Sequence, residues 1–419
     1  MANKKQTKPK RADNARERVG ARAETKLIGT DVTVVKRLKK DFVAFCKALW
    51  KVKGYDKVAP IGRAEEQMMR WMNGEDNAPN HRGVLAPRSI GKTHIASALA
   101  IHRLMNDPDE VVLLIMRAER QAQQTLKLIR GWVNTVSFLR HLRPQKDAGH
   151  RDTAYFFDVG TIEGRRRSPS LAVGSVDGTL EGRRASFLIA DDVETDRNTM
   201  TVEMRLALDQ RVREFARVCS YGNREIVYIG TYHDNDSVYW KLHQRGYQFR
   251  TWPMLYPHDE EMETPDGDPR MINVAPQLIK DMNSGKAKPG DRVFKHRHSR
   301  SYVKECQSEG EESWNMHYML SIAMGDTKRY PLKLRDLIVF NGIAKDRAPM
   351  SIAWGMTDNS NRSTAVDGIP SFGFGDDCLH RPIYASEEWL PYKGTKTFID
   401  PSGRGDNRTG FACVAYLNG

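Results

Sequence analysis

Between residues 31 and 73 apolar side chains recur at three- and four-residue intervals, at Val35, Leu38, Phe42, Phe45 and Leu49 and again at Met68, Met69 and Met72. That spacing puts them on helical faces and predicts two helices leading into a core. From 82 to 251 the pattern changes. Short apolar runs at 83–86, 111–116, 154–159, 170–176, 187–190 and 225–229 alternate with helical stretches. This alternation predicts an α/β domain, a mainly parallel sheet covered by helices. Between 257 and 331 Pro, Gly, Asp, Glu and Lys dominate, notably at 262–269 and 284–292, with helical spacing at 276–282 and 313–324. A strand-like run at 336–340 precedes a loop-rich stretch. At the end, 396–400 and 410–416 read as two strands joined by the turn Pro401-Ser402-Gly403-Arg404-Gly405-Asp406. The predicted organisation is a tail (1–26), an α/β domain (27–256), a connecting subdomain (257–340), a linker (341–394) and the start of a further domain (395–419).

Composition narrows the partners. The 419 residues carry a formal net charge of +13, which favours an anionic partner, nucleic acid first. The tail, with Lys4, Lys5, Lys8, Lys10, Arg11, Arg16, Arg18 and Arg22 among small polar residues, reads as a mobile basic arm. No apolar run reaches the roughly 18 residues of a membrane span, and the N-terminus has no apolar signal core, so a protein working inside a cell is expected. Five cysteines (Cys46, Cys219, Cys306, Cys378, Cys413) stand far apart, which argues for reduced thiols rather than disulfides or a zinc knuckle. His296-Arg297-His298 reads as a solvated stretch. Trp240 and Tyr239 read as core.

The chemistry begins at Ala86-Pro87-Arg88-Ser89-Ile90-Gly91-Lys92-Thr93, between a predicted strand and a helix expected over 94–105. Such a turn binds phosphate, because successive backbone N–H groups meet the positive end of a helix dipole. Lys92 adds a cation, and the Thr93 hydroxyl is a ligand for Mg²⁺. The usual first glycine of this motif is Ala86. A second element follows at 187–190, an apolar strand that ends in Asp191-Asp192-Val193-Glu194. Carboxylates at the carboxyl end of a central strand stand where ligands bind in open α/β sheets. Asp191 is expected to hold Mg²⁺ and Asp192 to orient and deprotonate the attacking water. Glu194 shares the Asp192 side if the strand continues, and competes for the base role. Together the elements predict ATP hydrolysis with Mg²⁺. Arg88, Arg183 and Arg184 are candidates to stabilise charge on the transferring phosphoryl group, in cis or across a subunit boundary. Thr231, ending the strand 225–229 after Gly230, is a candidate to sense the γ-phosphate and couple its loss to movement.

In this order the motifs resemble those of the large terminase subunits of tailed double-stranded DNA phages, the short-tailed type above all. The likeness rests on 87–93, on Gly182-Arg183-Arg184-Ala185 leading to 189–194, on Gly230-Thr231, on Tyr330-Pro331-Leu332-Lys333-Leu334-Arg335-Asp336 and on 399–405. It implies a P-loop ATPase of the ASCE type, a small subdomain, and the opening strands of an incomplete ribonuclease-H-like nuclease. By the resemblance Lys92 and Thr93 are the Walker A lysine and hydroxyl, Asp191 is the Walker B aspartate, and Gly230 and Thr231 form the coupling motif. The family commonly has Glu where Asp192 stands, so the base stays open between Asp192 and Glu194. Glu181 occupies the usual arginine position, and Arg184 is expected to act in trans. Asp400 is implied as the first of three nuclease metal ligands, the others lying past Gly419, so this chain is not expected to cut DNA. Implied partners are double-stranded DNA, the procapsid portal protein, the small terminase subunit and further copies in a homo-oligomeric ring, a pentamer, with no membrane. The implied location is the host cytoplasm, with transient docking on the procapsid.

Two other readings share these residues. A helicase-like DNA translocase uses the same ATPase parts without a capsid. An ATP-binding switch or scaffold, favoured by Ala86, binds without useful turnover.

Overall fold

The computed structural model describes residues 32–322 except 165, 181, 220–223, 235 and 264–268, together with 346–353, 381–400 and 410–417. The predicted basic tail, Glu181, the 330–336 motif, the 336–340 strand and the 401–406 turn lie outside the described residues, as do Cys378 and much of the predicted linker. The chain divides into two compact units, Met1–Gly325 and Asp326–Gly419.

Seven segments of the first unit pair into one sheet: β1 (His81–Leu85), β2 (Val112–Met116), β3 (Phe156–Phe157), β4 (Leu171–Ser175), β5 (Phe187–Asp191), β6 (Glu225–Gly230) and β7 (Gln248–Thr251). Their order is β3-β4-β2-β5-β6-β1-β7. All neighbours are parallel except β3 against β4. Thus β6 stands between the strand before the 86–93 turn and the strand that carries the acids. β7, at the edge beside β1, has no counterpart among the predicted strands.

Strand side chains alternate between two cores, as a period of two requires. Val112, Leu114, Phe187, Ile189, Val227 and Ile229 face one layer, made of α1 (Val32–Lys40), α2 (Phe42–Lys53), α3 (Arg63–Met72), α4 (Lys92–Asn106) and α5 (Glu119–Thr135). Leu113, Ile115, Leu188, Ala190, Ile226 and Tyr228 face the other, with α6 (Asp196–Thr199) ahead of α7 (Val202–Val218) and α8 (Val238–Gln244). Three helices stand where two were expected before β1. Asp41 causes the extra break, since its side chain accepts the Ala44 N–H at 2.9 Å and caps α2.

The remainder of the unit carries α9 (Asp259–Met262), α10 (Pro276–Asn283), α11 (Arg300–Ser308) and α12 (Glu311–Trp314). Ala275, Leu278, Ala287 and Phe294 join the first core, whereas Val303, Cys306, Trp314 and Tyr318 form a smaller one with Met254 and Met271. His298, expected in a solvated stretch, is 3% exposed. Its ring packs between Phe294 and Tyr302, while Arg297 pairs with Glu65 at 3.3 Å. Cys46, Cys219, Cys306 and Cys413 are free thiols. No helix among the described residues is long and apolar enough to cross a membrane.

The second unit contains β8 (Arg347–Pro349) paired with β11 (Trp389–Pro391), β9 (Ile352–Ala353) with β10 (Tyr384–Ala385), and an antiparallel hairpin of β12 (Gly394–Asp400) and β13 (Gly410–Tyr416). The hairpin matches the two strands predicted at the end of the chain.

Candidate functional site

Register brings the site together. Leu85 pairs with Gly230, and Asp191 with Ile229, so the segments leaving β1, β5 and β6 emerge side by side at the carboxyl edge of the sheet. Ala86 extends the β1–β6 ladder by one bond, its N–H reaching the Gly230 carbonyl at 3.1 Å. It is fully buried and is not among the residues with positive φ, so this position does not require glycine. The turn comes later, where Ser89 (φ 67°) and Gly91 (φ 82°) are left-handed. Glycine takes that conformation without steric cost, whereas Ser89 holds it at the exposed tip with buried Ile90 anchoring the loop beside it. Gly91 caps α4 with no side-chain hydrogen bond, and while the His94 N–H turns back to the Gly91 carbonyl at 3.0 Å, the Lys92 and Thr93 N–H groups are left for an anion. The helix starts at Lys92, two residues earlier than expected.

Lys92 is 6% exposed and its ammonium lies beneath the loop. It donates to the carbonyls of Ala86 (2.8 Å) and Pro87 (3.2 Å) and to the Thr231 hydroxyl, and stands 3.7 Å from Asp192 Oδ1. The Thr93 hydroxyl donates to Asp191 Oδ2 at 2.6 Å. Asp191 is fully buried and its other oxygen has no hydrogen-bond partner. Burial, and then the charge of Asp192, raises its pKa to about 7. A buried carboxylate oxygen without a donor, beside a threonine hydroxyl, is a donor set suited to a hard divalent cation, so Thr93 and Asp191 fit Mg²⁺.

Asp192 and Glu194 separate. The Asp192 N–H bonds the Ile229 carbonyl at 2.8 Å, and its own φ of 48° turns the chain out of the strand. Its side chain stays partly open beside Lys92, with Oδ1 lacking a hydrogen-bond partner. Glu194 is fully buried. It accepts three bonds of 2.7 Å, from the His233 N–H, the Ser237 hydroxyl and the Val238 N–H. Burial still raises its pKa to about 7 against those bonds. The geometry assigns Glu194 to tying the acid loop to the start of α8, and leaves Asp192 facing the phosphate loop. No motif points to Ser237, whose partner lies 43 residues away.

Thr231 is 2% exposed and bridges Lys92 to the Ala86 carbonyl, to which its hydroxyl donates at 3.1 Å. Gly230 permits a close approach: a Cβ there would stand 2.1 Å from the hydroxyl of Tyr239, itself fully buried as expected. Arg88 is exposed at the loop. Arg183 and Arg184 precede β5, and among the described residues neither is bonded to Asp191, Asp192 or the 86–93 loop. Arg183 bonds the Val173 carbonyl at 3.0 Å and lies over Phe156, and Arg184 is exposed. Whether either arginine acts in cis or across a subunit boundary stays open between the two readings. Asp400 ends β12 in the second unit.

No family model matches the chain. Among curated proteins it is 32% identical over 394 residues to the terminase large subunit of Enterobacteria phage T3, covering 92% of this chain and 64% of that protein. The chain thus spans less than two thirds of that relative. Superposition on the large terminase ATPase domain of Thermus phage P74-26 gives a TM-score of 0.34 at 14% identity, over 60% of this chain and 92% of that one. The bacteriophage HK97 large terminase gives 0.34 at 13% identity, over 59% and 51%. Those scores add nothing to the sequence match. By that match, sustained over nearly the whole sequence, the chain is similar to the terminase large subunit of phage T3.

Proposed function

We propose that this chain is the ATP-hydrolysing part of a motor that drives double-stranded viral DNA into a procapsid. The observation that carries the reading is the contact of Thr93 with Asp191 beside Lys92, which itself reaches Thr231 and Asp192. In this reading the 86–93 backbone and Lys92 hold the triphosphate of ATP. Thr93 and Asp191 hold Mg²⁺, which when bound offsets charge on the phosphate oxygens. Asp192 orients a water and takes its proton as the water oxygen bonds the γ-phosphorus and the β–γ bridge breaks, giving ADP and phosphate. The Lys92–Thr231 bond links loss of the γ-phosphate to the segment after β6, while Arg88 offers charge from within the loop. Arg184, with Arg183 as the other candidate, acts on the ATP of a neighbouring copy.

In this reading the chain assembles as a homo-oligomeric ring, a pentamer, on the portal protein in the host cytoplasm, with double-stranded DNA and the small terminase subunit as further partners. Concatemer cleavage is the second activity in this reading, with Asp400 as one metal ligand of a nuclease site. The test is ATP hydrolysis and DNA uptake with portal-bearing procapsids, for the native chain and Lys92→Ala. The expected result is hydrolysis stimulated by procapsids and lost at least 100-fold in the variant. Unchanged hydrolysis in Lys92→Ala removes the site assignment, and stimulation by free single strands alone favours a helicase.

A further inference from the structure

The ATP site leaves one compact group of metal-ligating side chains unused. Asp196 opens α6, His233 lies two residues beyond Thr231, and His317 comes from the turn Asn315–Met319. Each offers one ligand atom, and the three atoms lie within 4.8 Å of one another. His233 Nδ1 is 2.7 Å from Asp196 Oδ1, and the two imidazole centroids are 5.1 Å apart with their planes at 55°.

The orientation of His317 is informative. Its Nδ1 lies 3.0 Å from the Tyr232 carbonyl. A carbonyl only accepts, so Nδ1 carries the proton and Nε2 keeps its lone pair. A ring nitrogen donating to a backbone carbonyl while the other stays free is how metal-ligating histidines are held. Two imidazoles with one carboxylate select late first-row divalent ions over Mg²⁺, which prefers oxygen. Three protein ligands leave a fourth position for water. The charge of Arg88 reaches all three side chains and opposes a cation there, and the Asp196 carboxylate offsets it.

We propose that Asp196, His233 and His317 form a second divalent-cation site, of the zinc class and separate from Thr93 and Asp191, joining the acid-bearing loop, the coupling loop and the 315–319 turn. Nothing in the ATP chemistry requires it, and it stands independently of the motor reading.

The test uses the untagged, metal-stripped chain without nucleotide, titrated with Zn²⁺ by calorimetry and with Co²⁺ by visible absorption. The expected result is one Zn²⁺ per chain, a Co²⁺ ligand-field spectrum, and neither reversed by excess Mg²⁺. His317→Gln keeps a donor for the Tyr232 carbonyl and removes the ligand, and it should weaken Zn²⁺ binding at least about tenfold. Asp196→Asn, at a side chain 76% exposed and safe for folding, should weaken it likewise. Zn²⁺ binding unchanged in both variants assigns the metal to another group, such as exposed Cys413, and overturns the proposal. So does the failure of micromolar Zn²⁺ to bind the native chain.

Discussion

Asp192 and Glu194 stand two residues apart in different surroundings, because one backbone angle separates them. Alternation along a continuing strand puts both carboxylates on one side, which is why the sequence leaves the base open between them. The strand ends at Asp191, and the left-handed Asp192 breaks the period. Aspartate enters the left-handed region more readily than most residues, but nothing in the run Asp191-Asp192-Val193-Glu194 marks which residue does so, and this part of the site was not legible. Lys92, Thr93 and Asp191 were, since strand–turn–helix context fixes where their side chains go. Glu194→Gln tests the separation. It sets an amide nitrogen against one of three donors, and should lower stability to denaturant by about 1–3 kcal/mol. Any fall in hydrolysis should be smaller than that caused by losing the Asp192 carboxylate. Unaltered stability would contradict the buried role.

At the scale of elements, α4 couples the phosphate loop to the helices before it. His102, 2% exposed, bonds the Leu38 carbonyl of α1 at 3.0 Å and packs between Phe42 and Phe45 of α2. Burial depresses its pKa to about 4 from 6.5. The fold therefore favours neutral His102: its contribution is full above pH 6.5 and is lost as pH falls through about 4. Native protein should lose on the order of 3 kcal/mol across that window from this group. His102→Gln, which can still donate to the Leu38 carbonyl, should show a shallower loss in denaturant titrations at pH 7, 5.5 and 4; parallel curves would contradict this. Six strands of the seven-stranded sheet were legible because each is a short apolar run between breaks. β7 was missed since Gln248–Thr251 has one large apolar residue, Phe249, and borrows its stability from β1. α11 was missed for the same reason, with only Val303 and Cys306 buried.

For the whole molecule, charge and family likeness carry the expectation of DNA. The net charge of +13 favours an anionic partner and no more, while the ordered motifs resemble those of phage large terminases. Neither fixes which surface meets DNA, because Lys and Arg are spread along the chain and assembly decides what they face. If phosphates dominate, a log–log plot of DNA affinity against salt should fall with a slope of about −0.9 per phosphate neutralised, and a flat line would contradict it. The motor account as a whole needs three segments at one sheet edge to make one catalytic centre. Single-turnover hydrolysis of bound Mg²⁺·ATP by Asp192→Asn, beside its equilibrium ATP affinity, tests this most directly. The account predicts near-native binding with hydrolysis slowed by about 10²–10⁴, and near-native hydrolysis in that variant would contradict it.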